Sequence, residues 1–137
     1  MPIERKLLDA MAKMLEITGH GVGRWMVVAT AGVFIVDLFY LGSKPFAVGL
    51  FSSPWDKLAH FFAFGALSGL LWLGWLRKKP IWVIVMVALI GLADELHQHM
   101  LPGRSADPYD WLMDVMAAVL AVSILQAIDR KLNLDKA

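Results

Sequence analysis

Side chains able to bind ions or move protons fall in three short stretches of this chain: Asp56, Lys57 and His60; then Asp94, Glu95, His97, Gln98 and His99; then Arg104, Ser105, Asp107, Asp110 and Asp114. On a helix Asp56 and His60 share a face, being four apart. Asp94 with His97 and Gln98, and Asp110 with Asp114, repeat the spacing of three and four. Three helices so marked can aim at one pocket. The chemistry on offer is of three kinds. Arg104 and Lys57, with Ser105 and Gln98, suit recognition of an anion, because a planar guanidinium matches phosphate or carboxylate. His60, Asp94, Glu95, Asp110 and Asp114 suit acid–base catalysis or a divalent metal: Zn²⁺ if histidine joins two or three ligands, Mg²⁺ or Ca²⁺ if oxygens dominate. Asp94, Asp114 and His60, joined by Asp37, could instead relay protons or carry a cation. No cysteine is present, so thiolate nucleophiles, disulfides and cysteine-bound metals are excluded.

The elements that must position these groups are membrane spans. A chain of 137 residues that is 58% hydrophobic and 18% charged, with a mean hydropathy of +0.60, is too apolar and too short for an ordinary soluble domain. A nucleic-acid partner does not fit this composition. A helical span needs about 20 largely apolar residues, and 24–42, 58–76, 80–98 and 111–128 meet that need. The expected fold is therefore all-α: a transmembrane bundle of four helices with antiparallel chain neighbours. Glu4 to Thr18 repeats Leu7, Leu8, Met11, Met14 and Leu15 at helical spacing with Arg5, Lys6 and Lys13 among the polar positions, which predicts a short amphipathic surface helix. The organisation is an amphipathic cytoplasmic segment at 1–23, a transmembrane domain at 24–130 and a cytoplasmic tail at 131–137. A cleaved signal peptide fits poorly, since Asp37 interrupts the first apolar run and no small-residue cleavage site follows it.

Helix starts are marked by Ser53, Pro54 and Asp56 for the second span, with Ser53 as cap and Pro54 in the first turn. Asp107, Pro108 and Asp110 mark the fourth. Pro102 and Gly103 predict a tight turn with positive φ at the glycine. On this topology the terminal side carries ten basic residues (Arg5, Lys6, Lys13, Arg24, Arg77, Lys78, Lys79, Arg130, Lys131 and Lys136), against Lys44, Lys57 and Arg104 opposite. Both termini are thus expected in the cytoplasm. Trp25, Trp72, Trp75 and Trp82 at one level, and Trp55 and Trp111 at the other, suit interfacial anchors.

The reactive stretches then share the extracytoplasmic end. An ionisable side chain within a span costs roughly 2.5 to 3.5 kcal/mol on insertion scales, so such groups face the bundle interior and mark a site. Plainer readings stand beside that one. Asp56 and Asp107 suit helix caps as well as a site. Lys57 suits snorkelling, and Arg104 suits an ion pair with Asp107 or Asp110. His20 reads as a linker residue, and His97 and His99 lie near the interface. Gly65 and Gly69 on the second span, with Ala117, Ala118 and Ala121 on the fourth, are small residues that favour close helix approach.

The ordered set Asp56, Lys57, His60, Phe61, then Asp94, Glu95, Gln98, then Pro102, Gly103, Arg104, Ser105, Asp107, Asp110 resembles the signature of VanZ-like membrane proteins over roughly residues 53–122. The resemblance implies a small bacterial inner-membrane protein of four helices in a family whose founding member is associated with resistance to the glycopeptide teicoplanin. Two departures stand out. Asp114 stands where many relatives carry Asn, and Ala117 and Ala118 stand where glycines often follow, which implies a more acidic site and wider helix packing. The leading expectation is a pocket that binds or modifies an anionic envelope component, a lipid-linked cell-wall precursor or a phospholipid headgroup. The alternatives are a metal-dependent hydrolase or transferase, a subunit of proton- or cation-coupled transport acting as an oligomer or with a membrane partner, and an assembly protein locked together by its polar layer. The chain has no H-E-x-x-H and no serine in a nucleophile setting.

Overall fold

The computed structural model describes residues 2–134 and, among them, only helices. α1 (Pro2–Gly19) leads through His20 into α2 (Gly21–Gly42). A short 3₁₀ turn (Pro45–Ala47) precedes α3 (Trp55–Leu71), which runs on as a π-helical turn (Trp72–Leu76). α4 (Pro80–His99) and α5 (Pro108–Leu134) complete the chain. Four segments are long and apolar enough to cross a membrane: Gly21–Gly42, Trp55–Leu76, Pro80–His99 and Pro108–Leu132. The expected spans and the order of elements hold. Residues 131–134 extend α5, and residues 135–137 of the expected tail lie outside the described residues.

Chain neighbours are antiparallel, yet the principal packing partner of α3 is α5, and these two helices run in the same direction. Both begin at what we term the polar end, so the first turns of α3 and α5 stand side by side. This parallel pairing is what brings Asp56, Lys57 and His60 against Asp107, Asp110 and Asp114. Its seam is built from small residues. A Cβ placed on Gly65 would lie 3.8 Å from the Ala117 Cβ, and Ala117 and Ala118 are buried. Gly69 has nothing within 4 Å of such a Cβ, so it takes no part in the close approach expected of it. Below the polar end the core is Phe64, Leu67, Leu71 and Trp72 of the α3 segment with Val83, Val87, Ala118 and Val122.

The opposite, basic end is tied by other means. Arg77 pairs with Asp129 and donates to the Leu15 carbonyl at 3.4 Å, so α1 docks by Leu8, Met11, Ala12 and Leu15 onto the bundle. The π turn at Trp72–Leu76 was not legible in the sequence. It seats Gly74 where a Cβ would stand 3.1 Å from side-chain atoms of Val27 and Val28, and its Gly74 carbonyl accepts from Arg24 Nε at 3.0 Å. α2 is the least integrated span, with Ala31 its one buried residue, and the space beside it becomes important below.

Two helix-start expectations divide. α3 begins one residue late, at Trp55 with Pro54 at the cap position and no side-chain cap, so neither Ser53 nor Asp56 caps it. Asp107 does cap α5: its Oδ1 accepts the Tyr109 N–H at 2.8 Å. Gly103 has φ +77° and Arg104 N donates to Leu101 O at 3.2 Å, the turn that Pro102–Gly103 predicts.

Candidate functional site

The polar end gathers its side chains into two carboxylate clusters that share Asp110. In the first, the Lys57 ammonium donates to Asp107 Oδ2 at 2.7 Å, Asp110 Oδ1 at 3.1 Å and Asp56 Oδ2 at 3.4 Å. An ammonium with three donors on three carboxylates is saturated. The arrangement corrects the plainer of the two readings of Arg104, an ion pair with Asp107 or Asp110, because Lys57, in the first turn of α3, reaches them first. Asp107, just outside the α5 span, has its carboxyl held below the usual range by the Lys57 ammonium and then by the Tyr109 N–H.

In the second cluster His60, Glu95 and Asp110 each offer a ligand-type atom, all within 4.8 Å of one another. The His60 Nδ1–H donates to Asp114 Oδ1 at 3.0 Å, which turns Nε2 towards Asp110 Oδ2, 3.9 Å away. A ring stack on Phe64 at 5.8 Å between centroids holds the imidazole plane. Asp114 is fully buried, and space for it is made on α4 by Gly91, where a Cβ would stand 2.6 Å from Asp114 Oδ2. Glu95, also buried, accepts the Asp107 backbone N–H on Oε2 at 2.6 Å, while Oε1 is buried without a partner. Glu95 thereby fills the place that Asp110, three residues after the cap, would take in a capping box, and this frees Asp110 for the two clusters.

A third feature is a relay of hydrogen bonds along the α4 end. Gln98 Nε2 donates to Asp94 Oδ2 at 2.7 Å, and Arg104 donates to Gln98 Oε1 at 2.8 Å and to the Gly42 carbonyl at 3.1 Å. Among the described residues no carboxylate lies within ion-pair distance of Arg104.

Arg104 opens on a cavity of about 680 Å³ between α2 and α3. Asp56, His60, Asp94, Gln98, Arg104, Ser105, Asp107 and Asp110 form its polar wall, and Phe34, Leu38, Leu41, Phe46, Leu50, Phe51 and Phe64 are among its apolar ones. Asp37 also lines it from α2, whereas Lys57, Glu95 and Asp114 do not reach its wall. His97 sits apart with its ring against Phe39, and His99 is exposed. The sequence missed the apolar half of this cavity, because Phe46, Leu50 and Phe51 lie in the connection after α2, where no periodicity marks a wall.

The VanZ/LLP1 family model matches residues 13–129. The chain belongs to the VanZ/LLP1 family. The match takes in all four spans and both clusters, so the polar end described here lies within the family's domain. No curated protein and no solved structure matches the chain.

Proposed function

We propose that this VanZ/LLP1 protein lies in the bacterial inner membrane with both termini in the cytoplasm and binds an anionic, phosphate-bearing lipid headgroup in the cavity at its outer, polar end. The observation that carries this reading is Arg104: a guanidinium on the cavity wall whose hydrogen-bond partners are a neutral amide and a carbonyl, so no carboxylate closes it in an ion pair although aspartates line the same cavity. An unpaired guanidinium beside a cavity favours an anion, and its remaining N–H groups suit phosphate. The cavity's amphipathic lining supports a lipid as the source, with aromatic and aliphatic walls for a chain and polar groups for the head. Lys57 adds little to the anion's reception, being saturated by carboxylates; Ser105 and Gln98 stand beside Arg104 on the wall. A lipid-linked wall precursor as ligand would connect the protein to glycopeptide susceptibility.

Transport finds less support. Between the polar layer and the basic end, the α3–α4–α5 interface is filled among the described residues by Phe64, Leu67, Val83, Val87, Ala118 and Val122, and the buried Ser68 hydroxyl there donates to the Phe64 carbonyl of its own helix, which is short of the polar chain a proton relay uses.

The test is binding of phospholipids and polyprenyl phosphates to the purified protein in nanodiscs. Arg104→Ala is expected to weaken binding of the preferred anionic lipid about tenfold or more, since a hydrogen bond to a charged group contributes about 1.5–3 kcal/mol. Unchanged affinity for every anionic lipid would refute the reading.

A further inference from the structure

Two clusters of carboxylates share Asp110, and only one of them has a lysine at its centre. Around Lys57, three carboxylates meet an ammonium at 2.7–3.4 Å. Around His60, the Glu95 and Asp110 carboxylates approach each other and the imidazole, and among the described residues no lysine or arginine pairs with Glu95 or with Asp110 Oδ2. Asp110 has Lys57 on its other oxygen, whereas Glu95 has only the Asp107 N–H, and a buried carboxylate is ordinarily paired or bound to a metal. We infer that His60, Glu95 and Asp110 form a binding site for a first-row divalent metal ion of the Zn²⁺ type.

Two observations beyond the clustering point to a metal. Glu95 is 5% exposed, and its Oε1 is buried with no hydrogen-bond partner while Oε2 is occupied by the Asp107 N–H. A buried carboxylate oxygen left bare is a ligand atom in waiting. His60, in turn, is prepared by Asp114. With the ring proton on Nδ1, donated to that carboxylate, the Nε2 lone pair faces Asp110, the carboxylate–histidine arrangement that orients metal-bound imidazoles. Asp114 is fully buried and Gly91 leaves it room, so the orientation is imposed by packing.

The ligand types select the ion. One imidazole nitrogen with two carboxylates suits Zn²⁺ or Mn²⁺, whereas Mg²⁺ and Ca²⁺ favour oxygen alone. Bond lengths of about 2.0–2.2 Å place ligand atoms closer together than 4.8 Å, so binding draws the three side chains inward. Three protein ligands leave the ion a further position, and His60 and Asp110 both line the cavity. This site goes beyond the headgroup reading and does not depend on it.

The experiment is calorimetric titration of Zn²⁺, and Co²⁺ titration followed by visible absorption, on the chelator-treated full chain in nonionic detergent without added lipid. Expected is one equivalent bound, with a Co²⁺ spectrum of four- or five-coordinate intensity. Glu95→Gln, which keeps shape and the Asp107 contact, should abolish stoichiometric binding. Asp114→Asn should weaken it about 10- to 100-fold. Asp56→Asn, in the Lys57 cluster, and Arg104→Ala should leave it unchanged. Absence of stoichiometric binding by the unaltered protein, or binding that survives Glu95→Gln, overturns the inference. Loss on Asp56→Asn equal to that on Glu95→Gln also overturns it by moving the ion to the other cluster. Lipid affinity of Arg104→Ala is read separately, so either proposal can fail alone.

Discussion

The two carboxylate clusters at the polar end differ by one lysine. Around Lys57, one ammonium holds three carboxylates, and each of its contacts has a structural explanation: Asp107 caps α5, Lys57 bridges α3 to α5, and Asp110 completes the ammonium's shell. Around His60, α3, α4 and α5 supply more deeply buried carboxyls, Glu95 at 5% and Asp114 at 0% exposed, and the interactions stop short of closure: Glu95 Oε1 and Asp114 Oδ2 are buried and unpartnered, a condition shared in the Lys57 cluster by Asp56 Oδ1 of a partly exposed side chain. The difference teaches that an acidic cluster in a bundle is not evidence of function in itself. The filled cluster holds helices together; the unfilled one keeps polar atoms available at a cost in stability.

If this contrast is right, removing charge should act in opposite directions in the two clusters. Lys57→Met strips the ammonium from three carboxylates and should cost at most about 3 kcal/mol. That is the low end of the range for breaking a buried pair, because the lysine side chain keeps 24% of its exposure. Glu95→Gln should leave the thermal midpoint of the metal-free protein unchanged or raised, because it removes a charge facing Asp110 and preserves the bond to Asp107. Thermal melting in detergent measures both, and a large loss from Glu95→Gln without metal would erase the distinction between the clusters.

A smaller effect should follow from Gly91→Ala. The added Cβ meets Asp114 Oδ2 at 2.6 Å, and a fully buried Asp114 has no free space to enter. Overpacking of this kind should cost about 1–2 kcal/mol, and by turning Asp114 it should release His60. The imidazole resonances of His60 should shift in the variant, while the Lys57 contacts persist.

The smallest effect concerns pH. The Asp107 carboxyl titrates below its ordinary value of about 3.9 in the folded protein, so the unfolded chain binds the proton first as pH falls. Its contribution to stability is therefore complete above about pH 4 and is lost as acidification passes through the lower, folded value. The acid limb of a melting profile should become shallower in Asp107→Asn, from a lower plateau above about pH 4, and an unchanged limb would remove Asp107 from the Lys57 cluster's energetics.

Much of this was legible in the residues. Apolar runs of span length give helices because lipid leaves backbone groups no other partner, and the i, i+4 pairs placed Asp56 with His60 and Asp110 with Asp114. The turn at Pro102–Gly103 and the cap at Asp107 followed from local chemistry. Other features depend on what stands opposite. Arg104 read as a partner for Asp107 or Asp110, but the parallel α3–α5 seam delivers Lys57 there and leaves Arg104 to Gln98 and the Gly42 carbonyl. Gly69 read as a packing residue like Gly65, but no neighbour approaches it. The π turn at Trp72–Leu76 carries no sequence period at all.

The sequence by itself thus determined four apolar helices, one polar end and the roster of side chains that could act there. Those properties depend on composition and on spacing along one helix. Which carboxylate meets which cation was decided only by the tertiary structure, because that choice depends on pairing between helices far apart in the chain. Lys57 to Asp110, His60 to Asp114 and Glu95 to Asp107 are contacts that no local period encodes.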